Sequence, residues 1–331
     1  MTTSRQGSNR FATIEAIRGL ASVLVVFAHT AHLDGFIWSY VFDPGKIGVV
    51  IFFFISGYLV IPSAARDGAP LPFLLKRLFR LYPLYWLSLA VALALWPDRL
   101  SPAGWLANLT MAQQLVGFDN AISVYWTLTI EFCLYVLITS ALVFSPDVLR
   151  ARFGWLLGIL ATICLAAAVV RWTTHRAVPV AIPLGLFCMF IGAEMRRLSE
   201  RADPIGLRVL LYVAVVIPTC LLAYSFSTRF EETGSRYVVT YLTGGAVFLL
   251  FLKFPHVDLN RGLRLLGDYS YGIYLFHLPV AFIFERWFPH GGALFLLTLV
   301  ATTLVSAPLY HLVERPLAEL GRQLGRRAVL E

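Results

Sequence analysis

Ten long, largely apolar runs, each bounded by charge, proline or glycine, constrain this chain more than any other feature. They fall at about 14–33, 47–62, 81–96, 126–144, 154–171, 178–195, 208–226, 237–254, 269–288 and 293–312. A bilayer core about 30 Å thick takes about 20 residues of helix, and a backbone in hydrocarbon must satisfy its own hydrogen bonds. The chain therefore reads as an all-α, polytopic membrane protein, a bundle of about ten transmembrane helices. The second and third runs are short, which predicts tilt or partial burial. The first run continues through His29 and His32 with no small-residue cleavage site, so it is expected to persist as a helix and not as a removed signal.

Composition excludes the alternatives. Hydrophobic residues make up 58% of the chain and charged ones only 14%, against about a quarter charged in soluble proteins. The four cysteines, Cys133, Cys164, Cys188 and Cys220, lie far apart in apolar runs, which excludes a disulfide scaffold or a metal-ligand spacing and reads as buried, reduced packing residues. A net charge of +8 would raise the question of nucleic acid, but its placement answers otherwise. With the N-terminus cytoplasmic, 20 of the 27 Lys and Arg residues fall in inner segments and seven outside. That bias fits the positive-inside rule with both termini cytoplasmic and needs no nucleic-acid partner. Residues 1–331 read as a single integral membrane domain without an appended soluble domain. The longest polar connection, 97–125, holds Trp105, Leu106 and Leu109 and is expected to lie on the membrane surface or re-enter.

An ionisable side chain at the bilayer centre costs about 2.5–3.5 kcal/mol on insertion scales, so each one within a run is a functional candidate. The first run carries Glu15, Arg18, His29 and His32. Arg18 and His29 are eleven residues apart, which returns to within about 20° of the same helix face about 16 Å along the axis. Glu131, five residues into the fourth run, comes out at a depth similar to that of His29. An imidazole can pass a proton near neutral pH, and a neighbouring carboxylate raises its basicity and orients it. The plainer reading is a set of hydrogen-bonded polar groups that fix helix packing. His277 sits mid-span in the ninth run. In the inner loop Lys76, Arg77 and Arg80 present cations, and Arg77 and Arg80 at i, i+3 suit a phosphate-bearing ligand; a positive-inside anchor on lipid headgroups uses the same residues.

These residues lie within segments that resemble the acyltransferase 3 family of integral membrane acyltransferases. Arg18 and His29 match its Arg-x10-His signature, and Phe52-Phe53-Phe54-Ile55-Ser56-Gly57-Tyr58 its FFxxSGF segment. Arg77-Leu78-Phe79-Arg80 matches RxxR, Trp126 to Glu131 WSLxxE with Thr127 in place of Ser, Ser270 to His277 SYxIYLxH, and Glu314-Arg315-Pro316 the terminal ExP. Six weak motifs in the family's order span nearly the whole chain.

The resemblance implies a multi-pass protein of the bacterial cytoplasmic (inner) membrane. It implies acetyl-CoA or another acyl-CoA as donor, no metal, and transfer of a short acyl group to a hydroxyl. The acceptor expected is a carbohydrate or glycolipid, such as an exopolysaccharide, a lipopolysaccharide or a lipid-linked precursor, with a macrolide or other small glycoside as the alternative. Polysaccharide assembly proteins are possible partners. On this reading Arg77, Arg80 and Lys76 hold the nucleotide phosphates, Arg18 meets the pantetheine arm or the thioester, and His29 is general base with Glu131 orienting it. Acyl-histidine chemistry is the other route. His32, Tyr125, Trp126, His277 and Ser56 are expected to touch the acceptor, His277 with a structural role weighing more than a catalytic one. Glu314 is expected at a helix end beside Pro316. A proton-coupled transporter is the rival class, but no inverted repeat or matching pair of broken helices supports it; a membrane scaffold would leave the intramembrane charges without purpose.

Overall fold

The structure, a computed structural model, describes residues 2–31, 41–145, 147–201, 203–226, 232–254 and 261–328, with side chains from residue 12 onward except those of 148 and 150. The helices are α1 (Thr2–Thr30), α2 (Pro44–Asp67), α3 (Pro70–Leu95), α4 (Pro102–Asn108), α5 (Trp126–Phe144), α6 (Val148–Ala151) and α7 (Phe153–Thr174). They continue as α8 (Ala181–Arg201), α9 (Gly206–Ala223), α10 (Gly234–Lys253), α11 (Arg261–Asp268), α12 (Ser270–Phe284), α13 (Gly292–Leu309) and α14 (Arg315–Arg327). No strand occurs among the described residues, and the protein is an all-α, polytopic membrane protein.

Each of the ten apolar runs lies on a helix, and eight described helices are long and apolar enough to cross a membrane. Two of the ten runs fall short of that mark for different reasons. The helix α12 has 15 residues, and α8 carries Glu194, Arg196, Arg197, Glu200 and Arg201 in its C-terminal part.

The second and third runs are corrected: α2 has 24 residues and α3 has 26. Asp43 caps α2, its Oδ1 accepting from the Lys46 N–H at 3.0 Å and its carbonyl from that of Ile47 at 2.9 Å, with Pro44 pre-set for the first turn. Gly68, at φ +67°, closes α2 in the left-handed conformation that a side chain would disfavour. Pro70 then opens α3, because its missing N–H is one the first turn leaves unpaired anyway. Lys76, Arg77 and Arg80 consequently lie within α3, not in a loop.

Contacts divide the chain into two compact units. The first comprises residues 1–28, 33–63 and 148–267. At its centre Leu184–Met195 of α8 is buried on every side, as expected for a helix apolar all round. Phe54 stacks on Phe248 at 5.0 Å and meets Tyr212 edge-on at 5.3 Å. Glycine lets the backbones of α2 and α8 touch: a Cβ on Gly57 would overlap the Met189 carbonyl, and one on Gly192 the Phe54 carbonyl. This close approach is how helices gain van der Waals contact where lipid offers no hydrophobic drive. Cys164, Cys188 and Cys220 are buried here, and all four thiols of the chain are free.

The second unit comprises residues 29–32, 64–147 and 268–331. Here α3 packs on α5, α12 and α14. The helix expected to end near 312 instead continues: a π-helical turn at Tyr310–Glu314 leads into α14, so residues 292–327 form one helical stretch. Pro316 lacks the N–H that a regular turn would use, and the wide turn before it is where the backbone accommodates this. Ala318, Gly321 and Gly325 face inward, Gly321 against Phe79 and Leu75 and Gly325 against Pro72, leaving Arg322, Arg326 and Arg327 on the other faces.

The 97–125 connection folds into short helical turns at Pro97–Arg99, Gln113–Val116 and Ser123–Tyr125 around α4. Asn108, fully buried, organises it by donating to Gly104 O and Asp119 O at 2.9 Å each and accepting from the Ala121 N–H at 3.0 Å. Thr129 of α5 donates to Met111 O at 2.9 Å. These bonds satisfy a backbone that would otherwise be stranded near lipid.

Candidate functional site

His29 lies in the last turn of α1, half-buried. Its Nδ1 is 3.3 Å from Nε2 of His277, with ring centroids 5.1 Å apart. His277, on α12, is fully buried. Its other ring nitrogen faces two carbonyl oxygens one turn back, Tyr274 O at 2.8 Å and Ile273 O at 3.1 Å. Tyr274 is anchored in turn: its hydroxyl donates to Val124 O at 3.0 Å and shares a 2.6 Å hydrogen bond with the Thr127 hydroxyl. Thus the turn before α5, the first turn of α5 and the His277 ring are tied together through one tyrosine.

A second polar group lies between α3 and α5. Glu131 is half-buried, and its Oε1 accepts from the Tyr135 hydroxyl at 2.7 Å. Arg77 is only 7% exposed, and its Nε has no hydrogen-bond partner. Glu131, Tyr135, Asp67 and Arg80 lie within electrostatic reach of it. A buried guanidinium N–H left unpaired is costly.

The structure sorts the expected site residues. His29 and His277 are brought together in the second unit. Arg77 and Arg80 lie a turn apart on α3, and Lys76 is ion-paired with Asp67 at 2.6 Å. Tyr125 is corrected: it is fully buried, its hydroxyl shares a 2.6 Å bond with Ser88, and it packs on Tyr85 at 4.8 Å. It braces α3 against the start of α5 and offers no ring to a sugar. Trp126 is half-buried at the head of α5. Arg18, on α1, and Ser56, on α2, are half-buried in the first unit. His32 lies outside the described residues. Glu314 is buried in the π turn, not at a helix end.

The sequence reading missed Tyr135 and Tyr274. Tyr135 stands four residues after Glu131 and Tyr274 three before His277, so helical spacing alone places each beside a residue already singled out.

A sequence profile of the acyltransferase domain family matches residues 11–311. The chain belongs to the acyltransferase 3 family. Membership makes it a multi-pass membrane acyltransferase. Acyltransferase 3 relatives share about a quarter of its residues. It is 26% identical to the putative peptidoglycan O-acetyltransferase YrhL of Bacillus subtilis, an alignment that takes in 96% of this chain and 57% of that protein. The chain thus spans little more than half the length of that relative. It is 27% identical to the exopolysaccharide production protein ExoZ of Rhizobium meliloti, over 85% of this chain and 92% of that one. The putative membrane-bound transacylase BcsY of Komagataeibacter xylinus is also 27% identical, over 93% and 83% respectively. No solved structure matches the chain.

Proposed function

We propose that this acyltransferase moves an acetyl or other short acyl group from acyl-CoA to a hydroxyl of a surface carbohydrate or its lipid-linked precursor. The observation that carries the reading is the half-exposed His29 imidazole held against the buried His277. A half-exposed imidazole held against a second, buried ring is placed to take a proton from an acceptor hydroxyl. The hydroxyl oxygen then attacks the thioester carbonyl, the carbon–sulfur bond breaks, and the proton passes from His29 to the departing thiolate.

Arg77, with its unpaired buried N–H, and Arg80 supply the cationic ground for the donor's phosphates. Arg18, eleven residues before His29 on the same helix, is the residue assigned to the donor's arm. The carbohydrate acceptor is supported by relatives named for peptidoglycan O-acetylation and exopolysaccharide production. The charge bias of the segments supports both termini in the cytoplasm, where acyl-CoA is made, and hence the cytoplasmic membrane of a bacterium.

The test is mass spectrometry of surface carbohydrate from a deletion strain, complemented with the wild-type gene. The expected result is a loss of acyl mass that complementation restores. An unchanged carbohydrate profile, combined with no acceptor-dependent thiol release from acetyl-CoA by the purified protein, contradicts the proposal.

A further inference from the structure

From the two sets of contacts on His277 we infer that this residue is a positioning residue for catalysis, which fixes the tautomer of His29 so that Nε2 of His29 is the atom that takes the acceptor's proton. The inference rests on the reading of His29 as base and goes beyond it by naming the reacting nitrogen and what selects it.

The argument is one of hydrogen-bond bookkeeping. Tyr274 O and Ile273 O are carbonyl oxygens and can only accept, so Nδ1 of His277, 2.8 and 3.1 Å from them, carries a hydrogen. In a neutral imidazole the other nitrogen is then an acceptor. A fully buried ring with no carboxylate among its hydrogen-bond partners has nothing to offset the loss of hydration as a cation, so neutral is the form that burial favours. Nε2 of His277 therefore accepts, and the atom facing it at 3.3 Å, Nδ1 of His29, must donate. A neutral His29 that donates from Nδ1 carries its lone pair on Nε2, on the side of the ring away from His277.

The geometry holds because each link is fixed by the one before. Tyr274 is pinned by Val124 O and Thr127, its carbonyl orients the His277 ring, and His277 orients the His29 ring. This is an arrangement in which a second group, here a neutral histidine, sets which imidazole nitrogen is basic. In the transfer step the acceptor's O–H proton goes to Nε2 of His29, and the oxygen's electron pair forms the bond to the acyl carbon. The carbon–sulfur pair leaves on the thiolate, which takes the proton from Nε2. His29 returns neutral, and the hydrogen on Nδ1 never leaves its bond to His277.

The experiment is ¹⁵N NMR of the full-length protein in lipid, labelled at the histidine ring nitrogens, with His29→Ala used to assign the His29 resonances. The expected spectrum of the wild type shows neutral His29 protonated at Nδ1. A wild-type His29 protonated at Nε2 overturns the inference, with no variant required. His277→Leu removes the acceptor and should move His29 toward the Nε2–H form while kcat falls roughly 10- to 100-fold and both KM values stay within about twofold. His277→Gln, whose amide oxygen can accept from Nδ1–H, should restore the Nδ1–H tautomer and recover most of that loss. An unmoved tautomer and full kcat in His277→Leu overturn the inference. The base reading fails separately, through an active His29→Ala, and in that event the tautomer of His29 in wild type and His277→Leu still reports on the positioning.

Discussion

The hydroxyl of Tyr135 donates to the Glu131 carboxylate across 2.7 Å, one turn further along α5. The carboxylate expected to orient His29 thus holds a tyrosine within electrostatic reach of Arg77, and His29 has His277 as a hydrogen-bond partner. Glu131 and Tyr135 lie within electrostatic reach of Arg77, whose Nε has no hydrogen-bond partner.

Arg77→Gln should raise the KM for acyl-CoA about 10- to 100-fold, the size of one to two charge-assisted hydrogen bonds, with kcat less affected. Lys76→Gln should change it no more than about twofold, because Lys76 is tied to Asp67. Steady-state kinetics against acyl-CoA decide this; equal effects at the two positions would return Arg77 to a lipid-anchoring role.

In direct transfer, free thiol appears only when an acceptor is present. Rapid mixing with acetyl-CoA alone should give no burst of thiol. A burst that matches the enzyme concentration, with label trapped on His29, would establish an acyl-histidine and ping-pong order instead.

Gly57→Val and Gly192→Val should each lower the yield of folded protein severely, since any Cβ at these positions meets the backbone of the opposing helix and neither backbone can yield without separating α2 from α8. Gly158→Val, at a position with open space around it, is the control. Monodispersity in detergent and thermal unfolding are the readouts.

Acid sensitivity should trace partly to Asp43. Burial alone would push its carboxyl up, but Lys46, through its charge and its backbone and side-chain hydrogen bonds, and then Arg236 outweigh burial and hold it below the ordinary value near 3.8. A depressed carboxyl contributes stability that is present above its unfolded pKa and lost as pH falls through the folded one. Asp43→Asn should lower Tm at pH 7 by about 2–4 °C per kcal/mol removed and flatten the part of the acid limb that lies below about pH 4. An acid limb identical to the wild type's would show that the capping ion pairs contribute nothing measurable.

The bilayer requirement made all ten principal helices visible in the sequence, because a hydrocarbon solvent leaves few ways to bury a backbone. Boundaries were less legible. The prolines before α3 look like breakers, yet Pro70 opens the helix, and Pro316 looks like a stop where a π turn carries the helix on. Arg18 and His29 announced themselves as ionisable groups in apolar surroundings, and Arg77 by its spacing from Arg80. The pairing of His29 with His277 did not, since 248 residues separate them and only the fold brings α1 to α12. Tyr125 misled for a related reason: an aromatic ring at a span's edge looks the same in sequence whether it faces a ligand or braces two helices.

The most direct measurement is kcat of His29→Ala, with purified protein in lipid, saturating acetyl-CoA and the carbohydrate acceptor, beside thermal unfolding of the same preparation. Loss of a general base predicts a fall of about 10²- to 10⁴-fold with unfolding unchanged to within a few degrees. Wild-type turnover by the alanine variant would contradict the account.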